Sequence, residues 1–339
     1  MTDMARLPKA ELHCHIEGSA PPALVRRIAE RNGIALAPAL FTTDDRFAWH
    51  DFHSFLAAYD AASNCLRSAR DYRDLTYEYL MSCAGEGAIY GEFFSSPDHA
   101  AECGISYADH LAGMVTAIDD ARRDGGITAR IIVTCLRHKG PESALAVVRS
   151  MLAEPHPYVT GFGMAGDELQ FEPADFAAAF HLAADAGYGC TVHAGEFAGP
   201  ESVKAALACL PVTRLGHGVR ASEDPRLMDE IARRGIVLEV CPGSNLALGL
   251  YSSPALHPLA RLIEAGCRVT LNSDDPPFFA TSIGHEYSQA GNMLGLGLAQ
   301  LLDCTRTAIG AAFVDSATRI ALQARIAAPA AHDSNRRSA

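Results

Sequence analysis

The chain has 339 residues, 49% of them apolar and 20% charged, with a formal net charge of −12 and ten cysteines. The length admits one large domain or two smaller ones, the apolar content excludes a disordered chain, and an acidic balance with no cluster of Lys and Arg excludes nucleic acid as the main partner. No CxxC pair, no run of about 18 apolar residues and no basic-then-apolar leader in MTDMARLPKAEL leave a cytoplasmic protein with reduced thiols and no membrane partner as the expectation.

Short β-rich runs alternate with helical patterns along the whole chain. Eight such runs are predicted as strands: AELHCHIE, AIYGEFFSSP, TARIIVTCLRH, VTGFGMAGDE, GCTVHAGE, TRLGHG, IVLEVCP and RVTLNSDD. Helical spacing separates them, as in LVRRIAERNG, where Asn32-Gly33 supplies the stop. The interval between the first two runs is long and holds extra helical patterns around Phe52–Arg67 and Tyr72–Cys83. Eight alternating units imply an α/β fold, a (β/α)8 TIM barrel with a helical insertion after the first strand that lies over the top face as a lid. A doubly wound sheet is the competing fold, but no early strand leads into a GxGxxG loop. Residues 1–326 are expected to form a single catalytic barrel domain, and 327–339, with Arg336-Arg337, a disordered tail. Surface patches cannot be told from packed faces in a bare sequence, so the oligomeric state stays open.

The unusual polar residues fall at the C-terminal ends of these strands, the catalytic face of a barrel: His13 and His15, Asp167 and Glu168, His193 and Glu196, His217, Asp274 and Asp275. His13 and His15, two apart on a strand, project to one side and can reach a single ion, although strand histidines are as readily satisfied in a core. His193-Ala194-Gly195-Glu196 adds an imidazole and a carboxylate past a turning glycine; the competing role for Glu196 is to cap the next helix. Asp274 and Asp275 precede Pro276, which suits either ligation or an N-cap. His217 lies between two glycines, a place of close backbone approach or a tight turn. So many polar side chains at one rim are costly to bury without a shared cation. Three imidazoles and one carboxylate suit a transition metal, zinc ahead of iron or manganese. Phe52, Phe55, Leu56 and Tyr59 follow helical spacing; core packing is the preferred reading and a gate over the site the other. Tyr90 and Cys241 read as barrel filler.

Taken in order, ELHCHIEG, EFFSSP, GMAGDE, HAGE, RLGHG, EVCPGSN and NSDDP resemble the adenosine deaminase family, which includes an adenine deaminase branch. The resemblance implies hydrolytic deamination of a purine-like ring at one Zn2+ per chain, held by His13, His15, His193 and Asp274, with no organic cofactor. It implies that Glu196 protonates the ring at N1 as the oxygen of water adds to C6, that His217 orients that oxygen, and that Asp275 also holds it and engages the ring near N7. Gly166 matches the position whose backbone N–H binds N3, and Glu17 the position associated with the ribose 5′-hydroxyl. On the GMAGDE segment the implied substrate is adenosine or 2′-deoxyadenosine, giving inosine or 2′-deoxyinosine and ammonia. Glu17 in place of Asp and Phe94 in place of Arg resemble the adenine branch instead, so free adenine, or a modified adenine nucleoside such as aminodeoxyfutalosine, is the second reading. A different cyclic amidohydrolase and a non-enzymatic purine-binding protein complete the alternatives. The HAGE match argues against the first, and the intact set Glu196, His217 and Asp275 against the second.

Overall fold

The structure is a computed structural model and describes residues 7–327. Eight parallel strands follow one another in chain order round a barrel: β1 (Lys9–Glu11), β2 (Ala88–Ser95), β3 (Thr128–Leu136), β4 (Val159–Ala165), β5 (Gly189–Ala194), β6 (Arg214–His217), β7 (Val237–Val240) and β8 (Arg268–Leu271). Each lies within one of the eight predicted runs or overlaps it, and helices separate them, as the (β/α)8 expectation requires. Strands covered on both faces read as apolar runs, and β3 (TARIIVTCL) is buried along nearly its full length. Phe162 of β4 packs edge-on against Phe180 of the helix Ala177–Asp185, one contact of the main apolar core between strands and helices. Local signals bound the helices. Asp224 accepts from the backbone of Arg226 and Leu227 to start Pro225–Arg234, and Gly235, at φ +68°, ends it.

The seam between β8 and β1 is not a regular ladder. Cys14 bridges to Asp274, with Asp274 N–H donating to the carbonyl of His13 at 3.1 Å and His15 N–H to the carbonyl of Asp274 at 2.9 Å. Asn272 Oδ1 accepts from Leu12 N–H at 2.9 Å beside it. This corrects one expectation. His13 and His15 are not alternate residues of a regular strand, because β1 stops at Glu11; the pair is placed instead by two bridges, Cys14 with Asp274 and His15 with Phe94.

Between β1 and β2 the chain inserts the helices Pro22–Arg31, Phe52–Ser63 and Ala69–Gly85. The middle one opens with a capping box, Asp51 Oδ1 accepting from Ser54 N–H at 2.7 Å and Ser54 Oγ from Asp51 N–H at 2.9 Å. Its Phe52 ring lies 4.4 Å from Phe197, just past β5, and its Phe55 ring 5.1 Å from Phe279, past β8. The helix therefore spans the C-terminal mouth of the barrel, as the lid expectation placed it. The last described helix is Ser316–Ala327, and the remainder of the expected tail, with Arg336-Arg337, lies outside the described residues. All ten cysteines are free, and only Cys103 and Cys209 are partly exposed. Among the described residues no helix is long and apolar enough to cross a membrane.

Candidate active site

At the C-terminal mouth, His15, His193, Glu196, His217, Asp274 and Asp275 line one pocket. His13, fully buried, brings its ring within 5.4 Å of the other three imidazoles. Two of these residues have left-handed backbone, His217 at φ +58° and Asp274 at φ +63°. Such conformations are costly for residues other than glycine and gather at functional sites. Gly216 answers a spatial need, since a Cβ there would stand 2.8 Å from His13 Cε1 and 3.1 Å from His193 Nδ1.

One ligand atom each from His13, His15, His193 and Asp274 lies within 4.8 Å of the others. His15 Nε2 is 3.2 Å from His193 Nε2, and Asp274 Oδ1 is 3.5 and 3.4 Å from Nε2 of His13 and His15. The partners of the opposite ring nitrogens orient these imidazoles. Glu239 Oε2 takes the Nδ1–H of His13 at 2.8 Å and the carbonyl of Met164 that of His193 at 2.8 Å, so each turns Nε2 inward. His13 Nε2 is buried without a hydrogen-bond partner, a cost that a cation removes. Burial raises the Asp274 carboxyl, but His13, His217 and His15 outweigh it and hold the group well below the usual carboxylate range, as an anion. The donors fit a metal ion, and imidazole nitrogens with one carboxylate suit zinc. A second, overlapping group of His13, His217, Cys241 and Asp274 lies within the same 4.8 Å limit, which brings Cys241 closer to the chemistry than its reading as filler implied.

Burial, reinforced by Asp274 and Glu168, pushes Glu196 well above the usual carboxylate range and keeps it as the acid. Its Oε2 is 3.7 Å from His217 Nε2. The capping role considered for Glu196 is not seen: no side chain caps the helix Pro200–Cys209, and it is Glu168 that gathers the loop before it. That carboxylate accepts from the backbone N–H groups of Gly195 (2.5 Å), Glu196 (3.0 Å), Phe197 (2.8 Å) and Ala198 (2.9 Å) and from Ser202 Oγ (2.6 Å). Glu196 is left free to face the pocket. Asp275 is raised in the same way, by burial and then by Asp274 and Glu196, and its Oδ1 is buried without a partner. Only glycine at position 18 admits it, because a Cβ there would fall 1.7 Å from Asp275 Oδ1.

Phe52, Phe55, Leu56 and Tyr59 all line the pocket, opposite a wall that includes Leu136, Gly166 and Leu248. Phe55 and Tyr59 are also buried in the core, so one helix face serves both of the readings weighed for it. Gly166, at φ +96°, lies against His138, whose Nδ1 would be 2.7 Å from a Cβ. Glu17 does not line the pocket. Its Oε1 accepts from Ser95 Oγ and Ser96 N–H, both at 3.1 Å, with His110 Nε2 at 3.8 Å. Phe94 stacks on His15 with ring centroids 5.0 Å apart and meets His13 edge-on at 4.6 Å.

Beneath the imidazoles the barrel interior holds charges. Glu239 Oε1 accepts from Thr191 Oγ1 at 3.0 Å and pairs with Arg214 Nε at 2.6 Å. Arg214 Nη1 reaches Glu92 Oε2 at 2.7 Å, and Glu92 Oε1 accepts from Tyr90 OH at 2.5 Å. All are fully buried, and Tyr90 is filler with a satisfied hydroxyl. Motif reading misses Glu239, Arg214 and Glu92. Alternation was the usable signal: Thr191 stands two before His193, Arg214 two before Gly216 and Glu92 two before Phe94, which puts each on the inward face.

The adenosine deaminase family model matches residues 8–329. Over 320 residues the chain is 50% identical to the adenine deaminase of Chelativorans sp., covering 94% of this chain and 98% of that one. It is 48% identical over 322 residues to the adenine deaminase of Rhizobium johnstonii, covering 95% and 99%. Among solved structures, adenine deaminase from Arthrobacter aurescens superposes with a TM-score of 0.87 at 30% identity, covering 95% and 98%. An amidohydrolase from Burkhoderia ambifaria with bound Zn superposes at 0.88 with 31% identity, covering 96% and 90%.

Proposed function

Since the chain belongs to the adenosine deaminase family, and is a metal-dependent hydrolytic deaminase, we propose that it converts free adenine and water to hypoxanthine and ammonia. The observation that carries the substrate is that relatives 48–50% identical over nearly the whole chain are adenine deaminases. The surroundings of Glu17 agree. The side chain at the position the resemblance ties to a ribose hydroxyl is engaged by Ser95, Ser96 and His110 instead of facing the pocket. The adenosine expected from GMAGDE has no comparable support, and free adenine, the second reading of the sequence, replaces it.

One divalent ion per chain, zinc by its donors, is assigned to His13, His15, His193 and Asp274; when bound it would supply a water whose pKa is lowered toward ~7. Glu196, kept protonated, gives its proton to ring N1, so that C6 accepts oxygen without negative charge building up on the ring. Asp275, also held as the acid, engages N7 in this reading, and the backbone N–H of Gly166 binds N3; both residues line the pocket. His217 orients the incoming oxygen. Phe52, Phe55, Leu56 and Tyr59 cover the ring and exclude bulk water. The test is ammonia release, with the accompanying ultraviolet change, from zinc-loaded protein given adenine, adenosine and aminodeoxyfutalosine in parallel. Catalytic efficiency on adenine is expected to exceed the others by about tenfold or more. A preference for either nucleoside would overturn the substrate assignment and leave the acid and ligand roles standing.

A further inference from the structure

His217 is the one imidazole of the cluster that falls outside the first group of metal donors while belonging to the second. Its neighbours form a line of hydrogen bonds that begins at a backbone amide. The N–H of Leu259, first residue of the helix Leu259–Glu264, donates to His257 Nδ1 at 3.2 Å. A backbone amide only donates, so His257 Nδ1 must accept and its proton lies on Nε2. His257 Nε2 stands 3.2 Å from Asn245 Oδ1, which receives that proton and thereby fixes which end of the Asn245 amide is oxygen. Asn245 Nδ2 then points at His217 Nδ1, 3.3 Å away, and donates to it. With Nδ1 accepting, the proton of neutral His217 is on Nε2. All three side chains are buried, and each of the two rings, with its Nδ1 accepting, carries its single proton on Nε2.

We infer that Asn245 and His257 are positioning residues, a relay from the Leu259 amide that locks His217 as the Nε2–H tautomer. Two consequences follow. His217 Nε2 has no lone pair to offer a metal, which selects the quartet of His13, His15, His193 and Asp274 over the group containing Cys241, because His13 and His193 carry the opposite tautomer. The ring also faces Glu196 Oε2 at 3.7 Å and Asp274 Oδ2 at 3.9 Å as a donor and not as a base. It stabilises negative charge arising on oxygen added to the ring and does not withdraw a proton from water. Only this effect on turnover rests on the adenine reading; the tautomer does not.

The test is long-range 1H–15N correlation spectroscopy on zinc-loaded protein labelled at histidine, with His217 assigned by its disappearance in His217→Gln. The wild type is expected to show His217 protonated at Nε2. In Asn245→Asp a carboxylate faces Nδ1, and the ring should reverse to Nδ1–H, with kcat on adenine falling by about a hundredfold and KM nearly unchanged. His257→Leu and His257→Gln form a second pair: leucine should mix the tautomers and lower kcat, and glutamine, which keeps an N–H for Asn245 Oδ1, should recover most of the loss. A wild-type ring protonated at Nδ1, or equal effects of leucine and glutamine at position 257, would overturn the inference. Should the wild type prefer adenosine, the substrate reading fails while the spectroscopic arm still decides the relay.

Discussion

Replacing Glu196 by Gln removes one transferable proton and leaves intact the nest of backbone amides that Glu168 gathers, because Glu196 contributes only its own N–H to it. Turnover of Glu196→Gln is expected to fall by roughly 10²–10⁴, with the metal content found by elemental analysis unchanged; retained turnover would remove Glu196 from the acid role. Glu239→Gln acts on the other side of the site. The Nδ1–H of His13 loses an anionic acceptor, and zinc affinity measured by chelator competition is expected to weaken by about 10–100-fold. The polar residues that line the pocket were legible in the sequence because they are chemically distinctive and crowd at strand ends. Asn245 was not, although it sits inside a quoted motif, and Glu168 was picked out at its strand end without its role. Their work is to hold backbone amides or a neighbouring ring, and that depends on which loops meet in space.

On the helix Phe52–Ser63, two phenylalanines one turn apart carry different loads. Phe55 is in the apolar core, and Phe55→Ala is expected to cost about 3–5 kcal/mol in urea denaturation. Phe52 is only half-buried and packs on Phe197 beside the pocket, so Phe52→Ala should raise KM several-fold with little change in kcat or unfolding midpoint. The same helix shows why spacing alone left its purpose open: an apolar stripe looks the same whether core or a substrate ring lies beneath it. The eight strands were legible because each carries an apolar run closed by turn residues. The exception was the extent of β1. Its run continues through His15, but ladder pairing ends at Glu11, where the chain must leave the strand to close against Asp274.

For the molecule as a whole, an ion that binds only the folded chain adds stability by mass action, and the candidate donors His13, His15 and Asp274 stand at the β8–β1 seam. Chelation is therefore expected to lower the thermal midpoint, and zinc to restore it; an indifferent midpoint would mean that the seam holds without the ion. Stability should also depend on pH through Glu286, which burial raises from 4.5 to about 8 even though Thr281 and the Gly243 amide donate to it. The folded state keeps this proton where the unfolded chain has lost it, so stability declines as pH rises from 4.5 to about 8 and levels beyond. Glu286→Gln should flatten that part of the profile in denaturation midpoints measured across the range. The seam also orders events during synthesis. His13 and His15 leave the ribosome early and Asp274 late, a delay of ~10–50 s at ordinary translation rates. Through that interval the nascent chain displays an unfinished donor set to whatever cations the cell offers. The fourth candidate donor lies just past the strand that closes the barrel, so the set is complete only when the fold is.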